Sequence, residues 1–117
     1  MTERAKFDFA ELKERIMARD HYTCRRCGKP GTELAHHIAK TRANIHEHGR
    51  EACEAWHIEP TREAVSYWGQ RIIHHPLNLS LSCRGCNDSF NLGNQTAKAR
   101  ALAATIRGAL AGKTMTS

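Results

Sequence analysis

The sequence predicts a small α+β domain that spans residues 1–117 as one unit, and three observations predict it. Apolar residues recur at helical spacing near both ends of the chain and once in its middle. Two short segments, Glu33–Ile38 and Leu77–Ser82, have the character of strands. Two Cys-x-x-Cys pairs, Cys24/Cys27 and Cys83/Cys86, lie beside those segments. The expected domain is therefore a short sheet with flanking helices and two cysteine clasps.

The first helix is predicted over about 8–20. Phe9, Leu12 and Ile16 fall on one helical face, and Asp8 and Glu11 are placed as a capping box. Residues 39–76 are the least defined stretch, because their histidines and charges suggest an excursion rather than core. Within it, Val65, Trp68 and Ile72 predict a helix over about 61–73, preceded by Pro60, and a shorter helix around 50–57 is an open alternative.

The second strand is predicted to be half-buried, because Leu77, Leu79 and Leu81 alternate with polar residues. It leads into the second cysteine pair and then into a short helical turn over about 86–92. The C-terminal helix is predicted over 94–112, with Leu102, Ile106 and Leu110 in one stripe and Gly112 as its end.

The four paired cysteines predict a structural zinc site. Each pair supplies two thiolates from one tight turn, and four thiolates form the tetrahedral set that structural zinc prefers. Gly28 suits the left-handed position that such a turn requires. The chain has only three Phe, two Trp and two Tyr, so its core is lean and a metal crosslink would compensate. The fifth cysteine, Cys53, lies four residues before His57, which leaves half of a second metal site as a weaker alternative.

The formal net charge of +6 favours a polyanionic partner, nucleic acid first. No apolar segment resembles a signal peptide, and the run Ala101–Ile106 is far too short to span a bilayer. We therefore expect no membrane association and a cytoplasmic location, where Cys-x-x-Cys pairs indicate metal ligands rather than disulfides.

The order of these motifs resembles the HNH endonuclease family in its zinc-knuckle form, over about residues 20–91. The matching residues are His37 at the end of the first strand, Asn78 at the start of the second and Asn87 after the second cysteine pair, which makes an H-N-N version. The resemblance implies a ββα-metal core over residues 24–92, with an insertion over 39–76 between the two strands.

The resemblance also implies roles for individual residues. His37 would be the general base that takes a proton from water, which suits an imidazole because its pKa lies near working pH. Asn78 would orient the His37 ring and tie the insertion to the strand. His36 and Asn87 would hold one divalent ion, with Asn91 as a further ligand or phosphate contact. Many family members carry Asp before the base and His at the last position, where this chain has His36 and Asn87. The matched positions therefore supply no carboxylate, and Mg²⁺, Mn²⁺ and Ni²⁺ all remain open as catalytic ions.

The implied activity is divalent-metal-dependent cleavage of DNA, by nicking or double-strand cleavage, with 5′-phosphate and 3′-hydroxyl products. The phosphate contacts are expected from basic residues on the clasps and near the first strand: Arg25, Arg26, Arg84, Lys40 and Arg42. By analogy, the setting would be a bacterium or a phage-infected cell, with a packaging or recombination protein as a partner and a monomer or homodimer as the active form. The alternatives are a non-catalytic zinc-knuckle module that binds DNA and an adaptor for a larger enzyme.

Overall fold

A computed structural model describes residues 8–93 and 96–116, with side chains through Gly112. Within that part of the chain the elements are, in order, α1 (Phe9–Arg19), β1 (Glu33–His36), α2 (Arg42–Ala55), α3 (Arg62–Ile73), β2 (Leu79–Ser82) and α4 (Ala97–Thr116). Short 3₁₀ turns at Pro76–Asn78 and Asn87–Phe90 flank β2. The predicted α+β class is confirmed, and a pair of helices is inserted between the two strands.

The two strands form an antiparallel sheet in which Ala35 pairs with Ser80 and His36 with Leu79. All four residues of β2 are buried, so the prediction of a half-buried strand is wrong. Both serines of the strand are enclosed as well as its two leucines, and Ser80 lies against the His37 ring. Leu77 lies before the strand, in a 3₁₀ turn, and is exposed.

Helix α1 anchors the N-terminal side of the sheet. Asp8 caps the helix by accepting the Glu11 N–H at 3.1 Å, as the capping pattern predicted. Ile16 packs on Leu79 and Leu81 of β2. At the helix end, the buried Asp20 carboxylate accepts hydrogen bonds from Arg19 and from the Leu81 N–H, each at 2.8 Å.

The charges around Asp20 keep its carboxylate ionised. Burial would raise its pKa, but the contacts with Arg19, the Leu81 N–H and Arg25 outweigh that cost and lower the pKa to about 2. Because this pKa lies below its ordinary 3.8, the resulting stabilisation is present above about pH 4 and is lost as the pH falls toward 2. Asp20 therefore fixes α1 to β2 immediately before the first cysteine pair.

The inserted helices are part of the core, which corrects the expectation of an excursion. Helix α2 is 14 residues long and begins at Arg42, where Thr41 accepts the Asn44 N–H, rather than covering only about 50–57. Ala52 and Ile72 pack with Ile106 of α4 in one buried cluster. The charged residues of α2 are exposed or half-buried, whereas its buried side combines small residues with Asn44 and His48.

Helix α3 follows the prediction closely, with Thr61 as its N-cap and Ile73 as its last residue. Helix α4 runs over Ala97–Thr116, so Gly112 does not end it, and residues 94–95 of the predicted helix lie outside the described residues. Its buried side chains Ala99, Ala103, Ile106 and Leu110 face the inserted helices. None of the helices in the described ranges has the length and hydropathy needed to cross a bilayer.

Candidate metal centre and catalytic cleft

The four paired cysteines converge on one point. The Sγ atoms of Cys24, Cys27, Cys83 and Cys86 all lie within 4.8 Å of one another, with Cys27 and Cys83 at 3.5 Å. The first turn is closed by a hydrogen bond from the Gly28 N–H to the Cys24 oxygen, and Gly28 has φ +79° as predicted. The first pair is fixed to the sheet because the Arg25 N–H donates to the Leu81 oxygen at 3.0 Å. The predicted convergence of the four thiols is therefore confirmed.

The electrostatics of this cluster suit a cation. Burial opposes ionisation of Cys24, but hydrogen bonds from the main-chain N–H groups of Cys27, Cys83 and Arg26 prevail and lower its pKa to about 6. The neighbouring thiols, Cys83 first, raise the pKa of Cys86 to about 12. Ionisation of one thiol in this cluster therefore opposes ionisation of its neighbours. A divalent cation removes that repulsion, so these four residues fit a tetrahedral zinc ion.

Around the proposed base, His37 lies directly after β1 and is half-buried. Its Nε2 lies 2.8 Å from Ser80 Oγ, and its ring meets the Phe90 ring edge-to-face at 5.5 Å. Burial lowers the pKa of His37 below its ordinary 6.5, the Phe90 main chain opposes this shift, and Arg25 and Arg19 add to it. His37 is therefore neutral at physiological pH and able to accept a proton.

Asn78 is completely buried and bonds to main-chain atoms on both sides of the insertion. Its Oδ1 accepts the Ile38 N–H at 2.8 Å, and its Nδ2 donates to the oxygens of Ile38 and Ile73 at 3.1 and 2.7 Å. The Asn78 main-chain oxygen also accepts the His37 N–H at 2.9 Å. Asn78 thus joins the start of the insertion to its end and holds the His37 backbone, whereas Ser80 contacts the His37 ring.

His36 forms a pair with His74, the residue that follows α3. Nε2 of His36 lies 3.1 Å from Nδ1 of His74, and the two rings meet edge-to-face. Burial lowers the pKa of His36 to about 4, and the nearby His74 and Lys40 act in the same direction. The neutral ring that results is the form in which histidine binds metals.

His36 lines a cleft of about 370 Å³ at the side of β1. The cleft also contains Asn87, Asp88 and Asn91 from the segment after the second cysteine pair, together with Lys40. The predicted helical turn over 86–92 is a 3₁₀ turn that ends at Phe90, so Asn91 is not one α-helical turn beyond Asn87. Both asparagines nevertheless line the same cleft. His37 is not among its lining residues.

Three residues at the site carried little or no signal in the sequence. Ser80 and His74 contact the two predicted histidines, but neither belongs to a recognisable motif. Asp88 supplies a carboxylate to the cleft, although the matched positions had supplied none. Its position next to Asn87 was the available clue, since an adjacent acidic residue is a natural oxygen donor for a hard cation.

The predicted phosphate contacts fall into three places. Arg25 donates to Asp20 at 3.2 Å, so part of its charge is neutralised, while Arg26 and Arg84 are exposed on the two cysteine turns. Lys40 lines the cleft, and Arg42 lines a separate groove between α2 and α3.

The second-site alternative at Cys53 and His57 does not form a cluster. Cys53 is buried in the core and His57 is exposed. Over residues 8–93 and 96–116, the four paired cysteines are the only group of three or more His, Cys, Asp or Glu side chains placed to hold a metal ion.

Comparisons of this chain with protein-family models, with curated proteins and with solved structures found no match.

Proposed function

We propose that the protein is a divalent-metal-dependent DNA endonuclease of the HNH type, with residues 24–92 as a ββα-metal unit in which the 3₁₀ turn Asn87–Phe90 takes the place of the helix. The observation that carries the proposal is that β1 ends in two adjacent histidines beside the segment after the second cysteine pair: His37 is half-buried and contacts Phe90, and His36 lines a cleft with Asn87. The cysteine cluster fastens both ends of that unit. The H-N-N order of the sequence is the second support.

In this proposal His37 accepts a proton from the water that attacks the phosphodiester. Its lowered pKa keeps the ring neutral before reaction, and the Phe90 main chain, which favours the protonated ring, stabilises the imidazolium that forms. The contact between Nε2 and Ser80 Oγ fixes the ring plane, so that the base does not have to be ordered in each turnover. Asn78 holds the strand end from which His37 projects.

The cleft fits a divalent ion by its donor chemistry. Asp88 offers a carboxylate, Asn87 and Asn91 offer carboxamide oxygens, and His36 offers an imidazole. When bound, the ion would supply charge neutralisation at the phosphate and the leaving oxygen. The mixed oxygen and nitrogen donors favour Mn²⁺ or Ni²⁺ as well as Mg²⁺, and Lys40 adds a positive charge that attracts the DNA strand.

The products expected from this chemistry are a 5′-phosphate and a 3′-hydroxyl. One centre per chain nicks one strand, and a homodimer would cut both. Because the phosphate contacts carry no base information, we expect little sequence preference from the cleft itself.

The decisive experiment is nicking of supercoiled plasmid by the zinc-loaded protein with added Mg²⁺, Mn²⁺ or Ni²⁺. We expect His37→Ala to reduce nicking by about 100-fold or more, as removal of a general base does, while zinc content and circular dichroism stay unchanged. The matched control is His57→Asn, because His57 is exposed and has φ +56°, which asparagine tolerates. Nicking by His37→Ala at the wild-type rate would rule out the proposed base.

The competing function is a zinc-stabilised module that binds DNA without cutting it, or an adaptor for a larger enzyme. Such a protein would use the cysteine cluster but have no need for a neutral imidazole at position 37. DNA binding by the wild type, without nicking in any of the three metals, would favour this alternative.

A further inference from the structure

The inserted helices carry a second groove, which the cleavage chemistry does not use. It has a volume of about 1030 Å³, and its floor includes Ile45 and Val65. Its rim carries Arg42, His46 and Arg50 from α2 and Arg62 from the start of α3. We call this surface the arginine groove. One acidic residue, Glu63, also lines it, so cations outnumber carboxylates there.

Helix α2 carries a stripe of basic residues along the groove. Arg42, His46 and Arg50 follow one another at intervals of four residues and therefore lie in one stripe about 12 Å long. Glu54 continues the same spacing after Arg50, and Glu47 lies three residues before Arg50, but neither carboxylate lies within 4 Å of the charged nitrogens of Arg50.

The guanidinium groups of the groove are not neutralised within the protein. Among the described residues, no carboxylate lies within 4 Å of a charged nitrogen of Arg42, Arg50 or Arg62, and these three residues are exposed. Arg19 and Arg25 differ, since both are paired with Asp20. The charge of the arginine groove is thus available to an external anion.

The groove is also rigid and lies next to the catalytic cleft along the chain. Lys40 lines the cleft, and Arg42, two residues later, lines the arginine groove. Beneath the groove, Gly49 and Gly69 let the α2 and α3 backbones touch: a Cβ at either position would lie 1.9 Å from a main-chain oxygen of the opposite helix. The main chain that carries these cations is therefore held by close helix packing, so little main-chain ordering accompanies binding.

We propose that the arginine groove binds the phosphate backbone of duplex DNA beyond the cleavage point, so that one substrate contacts both the cleft and the inserted helices. This inference rests on the proposed function, since it assigns the flank of the same substrate. Charge complementarity and the continuity from Lys40 to Arg42 identify the occupant. Because the contacts are to phosphates, the groove adds affinity and orientation without base preference.

The test compares Arg42→Gln/Arg50→Gln with the control Arg15→Gln/Arg100→Gln. The control removes the same charge from exposed positions on α1 and α4, and glutamine preserves helix propensity in both. Binding to a 30-base-pair duplex is measured by fluorescence anisotropy at several KCl concentrations, in the His37→Ala background and without added divalent ions. We expect the groove variant to bind about 10-fold more weakly, with the slope of log K against log [KCl] reduced by about 1.8 for two lost contacts. The control should change the slope by much less.

Equal effects in the two double variants, or an unchanged slope in the groove variant, would overturn the proposal. Equally strong competition by single-stranded DNA would overturn the duplex assignment. Nicking by the same double variants with His37 intact separates the two proposals. If the groove variant nicks and binds DNA as the wild type does, the groove proposal is rejected and the nuclease proposal stands. If the groove variant binds more weakly but the wild type itself does not nick, the groove proposal is supported and the nuclease proposal is rejected.

Discussion

At the scale of single residues, the candidate site contains two adjacent histidines whose pKa values are both lowered. Burial is the main cause for both. His74 and Lys40 add to the shift at His36, and Arg25 and Arg19 add to it at His37, while main-chain hydrogen bonds with Leu34 and Phe90 respectively oppose it. With its pKa lowered to about 4, His36 stays neutral at any physiological pH, which is the form in which histidine binds metals. Under the proposed function, the neutral His37 ring would serve as the base. Adjacent residues of the same type thus have environments suited to separate roles.

The pH dependence of cleavage follows from His37. Because its pKa is lowered, the fraction of neutral base is already high below pH 6.5, so kcat/KM should rise from pH 5 and level off with a midpoint below 6.5. Initial nicking rates at subsaturating DNA from pH 5 to 8 measure this midpoint. Ser80→Ala, which removes the contact to Nε2 but keeps the ring, should lower kcat by about 10-fold and leave the rise with pH in place. A midpoint at or above 6.5 would contradict a desolvated base.

At the scale of elements, the inserted helices explain how a sequence rich in charge contributes to the core. Gly49 and Gly69 remove the side chains at the crossing, and Ile45 and Val65 then fill the space beside it. The arginine groove lies over the same helix crossing. At the end of α3, His74 contacts His36. The insertion is therefore connected to the candidate site through packing as well as through the chain.

Substitution of Gly49 should be far more costly than substitution of an exposed helical glycine. In Gly49→Ala the new Cβ would meet the Val65 oxygen at 1.9 Å, so we expect a loss of about 3 kcal/mol or more in the free energy of unfolding. Gly108→Ala is the matched control, because a Cβ there has no neighbour within 4 Å and should stabilise α4 by about 0.5–1 kcal/mol. Urea unfolding of the zinc-loaded variants measures both values. Similar stabilities for the two variants would mean that the helices do not cross in this way.

The structural features that could be predicted from the sequence are those determined by residues close together in the chain. The cap at Asp8, helix α3 and the left-handed Gly28 follow from neighbouring residues and were predicted. Helix α2 was largely missed because its apolar face is built from small residues and a buried histidine, which leave a weak hydrophobic pattern. The contact between Ser80 and the His37 ring forms only when the two strands pair, so no residue spacing predicts it.

For the whole molecule, the cysteine cluster connects parts that are far apart in sequence. The first pair follows α1 and the second follows β2, so a bound ion closes a loop that contains the sheet and both inserted helices. The apolar clusters of the molecule are small and rely largely on isoleucine, leucine and alanine. We therefore expect metal binding to supply a large share of the free energy of folding, on the order of 10 kcal/mol.

Loss of one thiol should accordingly unfold the protein around the sheet rather than merely weaken it. In Cys83→Ser the hydroxyl is a poor zinc ligand, so we expect zinc content well below one ion per chain, a much lower midpoint of thermal unfolding and loss of DNA nicking. Cys53→Ala is the control, since Cys53 is buried outside the cluster and should keep its zinc at a cost of about 1 kcal/mol. Metal analysis and circular dichroism compare the two variants. Because the two adjacent histidines and Asn78 lie within the closed loop and Asn87 follows it directly, a Cys83→Ser protein with normal zinc content and an unchanged unfolding curve would contradict a role of the cysteine cluster in the fold, and with it the physical reason for these residues to meet.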